Sequence, residues 1–87
     1  MGKIRFTNHA EEKLGVLKRY GFEVSPEQVE NVLLNPEKVI SQGGGKSIAQ
    51  RRISERHVLW VVYRQERETY VVITFYPGRR ERYEDSI

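Results

Sequence analysis

The stretch HVLWVVYRQERETYVVITFY, residues 57–76, decides the fold. Two runs rich in β-branched and aromatic residues flank the polar segment YRQERET, a pattern that fits two strands and a hairpin turn. A third such run, KSIAQRRIS, residues 46–54, precedes them. Three successive strands with short connections form an antiparallel meander. Strict alternation along TYVVITFY puts Val71, Ile73 and Phe75 on one face and Tyr70, Val72, Thr74 and Tyr76 on the other. The first face is wholly apolar and is expected to carry the helices.

Two helices are expected upstream. In FTNHAEEK, residues 6–13, Thr7 and Asn8 are both competent N-caps, and Asn8 with Glu11 fits a capping box. The first helix is expected from about Asn8 to Tyr20, with Ala10, Leu14 and Leu17 as its apolar face and Gly21 as C-cap, Phe22 packing back. In VSPEQVENVLLNP the second helix is better marked. Ser25 is the N-cap, Pro26 takes the first helical position, and Gln28 completes a capping box. Val24 and Val29 have staple spacing, and Val29, Val32 and Leu33 form the core face. Asn35 and Pro36 end it. KIRF, residues 3–6, is a short candidate strand. The expected fold is α+β: two N-terminal helices on one face of a three- to four-stranded antiparallel sheet, in one domain over residues 1–87.

The chain of 87 residues is short enough that one modest core is its limit. It has no cysteine, so disulfides and thiolate metal sites play no part. No apolar run approaches the roughly 18 residues of a membrane span, and MGKIRF lacks the apolar stretch of a signal peptide. A cytoplasmic protein without a membrane association is expected. The net charge is +3, and the whole excess lies downstream. Residues 1–45 hold six Lys/Arg and six Asp/Glu, whereas residues 46–87 hold nine and six. A basic surface in that half is suited to phosphates, and a solvated mixed-charge surface is the plainer reading.

GGGKS, residues 43–47, is not a Walker loop. The position five before the Gly–Lys pair is Ile40, and a strand rather than a helix follows. A flexible hinge is expected, with Lys46 within reach of a phosphate at the sheet edge. His9 stands in the first turn of helix one, where an imidazole can serve as general base and, once protonated, as acid. Lys13 follows four residues later on the same face, offset from the core stripe. A surface histidine beside a cap is the plainer reading. His57 is the only other histidine, and two histidines flanking a phosphodiester can share acid and base roles, although nothing in the sequence places these two together. Two histidines without HxH or HExxH spacing are a poor metal set, so no metal or other cofactor is expected. Gln50 and Arg52 project to one face of their strand and Arg51 to the other, and an arginine there suits bidentate phosphate contact. Thr74 and Tyr76, followed by the basic Arg79 and Arg80, supply hydroxyl, phenol and charge for a nucleic-acid strand. Trp60 is expected to be core.

FTNHAEEKL, VSPEQVENVLLNPEKVI, AQRRIS, VVYR and VVITFYP, in that order, resemble a family of small prokaryotic domains of unknown function. Those domains open on a Phe-Thr-x-His-Ala helix and close on a Val-x-Thr-x-Tyr-Pro strand. The resemblance covers about residues 5–77. That family is similar in turn to RelE/ParE and BrnT-type toxins and to the wider barnase-like group of metal-independent RNases. The resemblance implies a RelE-like fold and RNA cleavage or a toxin–antitoxin setting. By position it implies a site of His9, Thr74 and Tyr76, with Lys13 where the family usually has arginine.

These readings lead to three functional expectations. The first is a metal-independent endoribonuclease in which His9 moves a proton, Lys13 and Arg52 stabilise the phosphorane, and Thr74 and Tyr76 position the RNA. The second is a non-catalytic nucleic-acid-binding module using Lys46, Gln50, Arg51, Arg79 and Arg80. The third is an interaction domain covered by an acidic antitoxin-like protein.

Overall fold

The computed structural model describes residues 3–21 and 24–79. In chain order the elements are β1 (Lys3–Phe6), α1 (Asn8–Arg19), α2 (Pro26–Leu34), β2 (Lys38–Gly43), β3 (Lys46–Arg52), β4 (His57–Glu66) and β5 (Thr69–Arg79). The fold is α+β, with two helices and a five-stranded mixed sheet ordered β1-β5-β4-β3-β2. The chain leaves β1 at one edge, crosses the sheet through both helices, and enters β2 at the other edge. A meander then returns it to β1. The last strand meets the first in parallel, Phe6 opposite Val72, while every other pairing is antiparallel. The sheet therefore exceeds the expected three to four antiparallel strands, because KIRF joins it through a contact distant in sequence and VISQG pairs with β3.

Local chemistry explains the helices. Ser25 caps α2, its hydroxyl accepting from the Gln28 amide at 3.2 Å while the Gln28 side chain accepts from the Ser25 amide at 3.0 Å. At α1 the cap is Thr7, which accepts from the Ala10 amide at 3.2 Å, rather than the Asn8–Glu11 box. The same Thr7 hydroxyl donates to the Ile73 carbonyl at 3.1 Å, and the Thr7 amide donates to the Val72 carbonyl. That tertiary bond selects between two locally competent caps. Gly21, at φ 85°, ends α1 in the left-handed region that glycine occupies without strain. The expected packing of Phe22 lies outside the described residues.

The glycine run is a tight hairpin rather than a hinge. Gly44 and Gly45 form the β2–β3 turn, both at positive φ, as the right-handed strand twist requires of a two-residue connection.

Val29, Val32 and Leu33 of α2 and Ala10 of α1 bury against Leu59, Val61, Val72 and Phe75, with Ile4, Phe6, Leu14 and Leu17 at the margin. Strict alternation along β5 fails here. Between the pairs Val62–Thr74 and Tyr63–Val72, β5 carries one extra residue, Ile73. This bulge reverses the parity, so Phe75 and Val72 both join the helix-side core. Val71, expected beside Phe75, is buried outside that core. The bulge lies where α1 begins, at the carbonyl that Thr7 binds.

Candidate functional site

β1 ends at Phe6, so beyond Val72 its place at the edge of β5 is taken by the start of α1. Lys13, one and a half turns into that helix, reaches β5. Its Nζ donates to the Thr74 hydroxyl at 3.2 Å and lies 5.4 Å from the centroid of the Tyr76 ring. That distance is within the range of a cation–π contact. Tyr76 meets Trp60 edge-to-face, with centroids 5.4 Å apart and planes at 64°. Trp60 and Tyr76 are cross-strand partners, and Gln50 is opposite Trp60. Trp60 is thus half-buried on the face away from the helix-side core, not within that core as expected.

Burial lowers the pKa of Lys13 below the usual lysine value. Partial desolvation penalises the ammonium, while the Thr74 oxygen and the Tyr76 ring face it. The result is a cation that gives up its proton more readily than a solvated lysine.

His9 is exposed, one helical turn before Lys13 on the same face of α1, with a Cβ separation on the order of 6 Å. His57 starts β4 and lines a cavity with Gly21, Ile53, Ser54 and Pro77. Gly21 lies just past the C-terminal end of α1, a helix about 18 Å long, so the two histidines lie toward opposite ends of it. They do not form a pair across one phosphodiester. Among the described residues no group of three or more His, Asp or Glu side chains is placed to hold a metal ion.

The other candidates are dispersed. Arg52 is held by Glu37: its amide donates to Oε1 at 2.6 Å, and its Nε lies 3.6 Å from Oε2. It sits on β3, two strands from β5, and does not join Lys13. Arg51 donates to the Asn35 carbonyl at 2.8 Å and so satisfies the C-terminal end of α2. Gln50 is buried, 7% exposed, opposite Trp60. Lys46 and Arg79 are exposed, the latter opposite His57. Arg80 lies outside the described residues.

No family model matches this chain, and no curated protein or solved structure matches it.

Sequence reading missed Arg64 and Arg5. Both lie on the same face as Trp60, and Arg64 stands directly opposite Lys46. For Arg64 the signal was the β3–β4 hairpin register, which becomes countable once the short turn between those strands is recognised; Arg5 had no such signal, because β1 joins β5 in parallel. Among the described residues no helix is long and apolar enough to cross a membrane.

Proposed function

We propose that this chain is an endoribonuclease of the RelE-like toxin type that cleaves single-stranded RNA without a metal cofactor. The observation that carries this reading is the Lys13 ammonium seated at 3.2 Å from the Thr74 hydroxyl and over the Tyr76 ring. A cation, a hydroxyl and an aromatic ring converge there at the edge of a sheet, which suits a phosphodiester and its adjacent base.

In the proposed reaction the RNA 2′-oxygen attacks the neighbouring phosphorus and the bond to the 5′-oxygen breaks. His9 takes the 2′-hydroxyl proton. Lys13 faces the phosphorane oxygens, and its depressed pKa suits it to hand a proton to the departing 5′-oxygen. Thr74 holds the Lys13 ammonium in place, and Tyr76 supports the base. Arg52, held by Glu37 and two strands away, is assigned no step. The products are a 2′,3′-cyclic phosphate and a 5′-hydroxyl. End-group analysis of RNA incubated with the purified protein in EDTA tests this chemistry. Products bearing a 3′-hydroxyl and a 5′-phosphate would overturn it.

An acidic antitoxin-like protein is the partner that the toxin reading entails, and the positive excess in residues 46–87 supports it. Pull-down with nuclease-treated lysate tests this separately.

A further inference from the structure

On the sheet face that carries Trp60 and Tyr76, a second row of side chains runs across four strands. Lys46 of β3 is directly opposite Arg64 of β4; Arg64 is opposite Val71 of β5; Val71 is opposite Arg5 of β1. With strands about 4.8 Å apart, the row spans about 14 Å from Lys46 to Arg5. All three cations are exposed. Glu66 is their acidic neighbour, bound to Arg64 at 2.8 Å and facing Arg5 at 3.8 Å. Three positive charges thus meet one negative charge.

This register sets two cations face to face, and Glu66 offsets the charge on the Arg64 side. Like charges directly opposite one another in an antiparallel pair are destabilising, and Lys46 opposes Arg64 with no ion pair of its own among the described residues. An anion laid across both would remove that cost. The row also has a fixed relation to the Lys13 site. Arg64 follows Trp60 by four residues along β4, about 13 Å, on the same face.

We propose that Lys46, Arg64 and Arg5 form a rail for the phosphate backbone of single-stranded RNA. This rests on the RNA-cleaving reading above and extends it. The strand passes down β4 and β5 from its reacting linkage at Lys13, and its later nucleotides turn across the sheet to follow the rail. A dinucleotide fills the first position only, whereas a longer strand reaches both. The backbone contacts carry no base preference, so they add affinity and salt dependence without sequence discrimination.

The test uses a 2′-O-methyl oligouridylate, whose blocked 2′-oxygen permits binding without cleavage, and the matching dinucleotide. Affinities of wild type and the Lys46→Gln, Arg64→Gln double variant are measured against salt. The expected result is a slope of log affinity on log salt shallower by about 1.4 for the long strand, about 0.7 for each cation removed. Dinucleotide affinity stays unchanged. Lys46→Gln alone is expected to raise the melting temperature of the free protein, which a merely structural lysine would not do. Wild-type binding with an unchanged slope in the double variant overturns the rail alone. No binding of the long strand at low salt overturns both the rail and the RNA reading. Polyglutamate binding more tightly than the oligouridylate assigns the row to an acidic protein and also overturns it.

Discussion

Lys13 and Thr74 lie 61 positions apart in the chain, yet the lysine Nζ donates to the threonine hydroxyl at 3.2 Å. The contact depends on α1 being pinned to the edge of β5, and on the bulge at Ile73 that resets the strand just before Thr74. Thr74→Val should therefore leave the fold intact and reduce RNA cleavage, with the greater part of the loss in kcat. Thr74→Ser should retain most activity. Steady-state kinetics with a short RNA distinguishes these outcomes.

Thr7 links the helix cap to the strand through one hydroxyl, which accepts from Ala10 and donates to Ile73. Thr7→Ala should cost about 0.5–2 kcal/mol, the range of a lost cap. In a domain of this size that lowers the melting temperature by about 4–8 °C per kcal/mol. Thr7→Ser should restore both bonds and most of the stability. Thermal denaturation followed by circular dichroism checks both variants.

The pH dependence of stability follows from Lys13. Its folded-state pKa is lowered by burial, so the unfolded chain binds the proton more tightly. The cost of the buried ammonium is fully present below the lowered folded pKa. It is relieved as pH rises from there to the ordinary lysine value. Lys13→Met should gain stability relative to wild type most at neutral pH, and the gain should shrink at strongly alkaline pH. Denaturant melts across that range measure the difference.

The same depression sets an expectation for catalysis. If Lys13 hands a proton to the leaving oxygen, the alkaline limb of the rate profile falls below the ordinary lysine range. Lys13→Arg, whose guanidinium stays charged, should abolish that limb while retaining the positive charge. A limb unchanged in the arginine variant would remove the proton-donor role from Lys13.

Arg67 occupies the β4–β5 turn at φ 56°, a left-handed conformation that is uncommon for a side chain of this kind. Asparagine tolerates that region better. Arg67→Asn should stabilise the protein by about 0.5–1 kcal/mol, relieving local backbone strain. A melting temperature equal to or below wild type would contradict this.

Legibility in the sequence followed the range of the interactions. The α2 cap was fully readable, because Ser25, Pro26 and Gln28 satisfy one another within a turn. The α1 cap was ambiguous, because Thr7 and Asn8 are equally able locally and only the distant Ile73 carbonyl separates them. β1 was readable as a strand, but its parallel pairing with β5 was not. β2 was obscured by glycine and polar residues that become a strand only by pairing with β3. The bulge defeated face assignment along β5, since alternation assumes no inserted residue. Lys13, Thr74 and Tyr76 were each readable as candidates by residue type. Their meeting, and the engagement of Arg52 by Glu37, depend on long-range packing.

The most direct test of the proposed activity is the initial rate of single-stranded RNA cleavage in EDTA by wild type, His9→Ala and Lys13→Ala, each shown folded by circular dichroism. The account predicts cleavage by wild type to a 2′,3′-cyclic phosphate, with each variant slower by about 10²–10³-fold. Equal rates in all three proteins, at the level of the buffer alone, would contradict it.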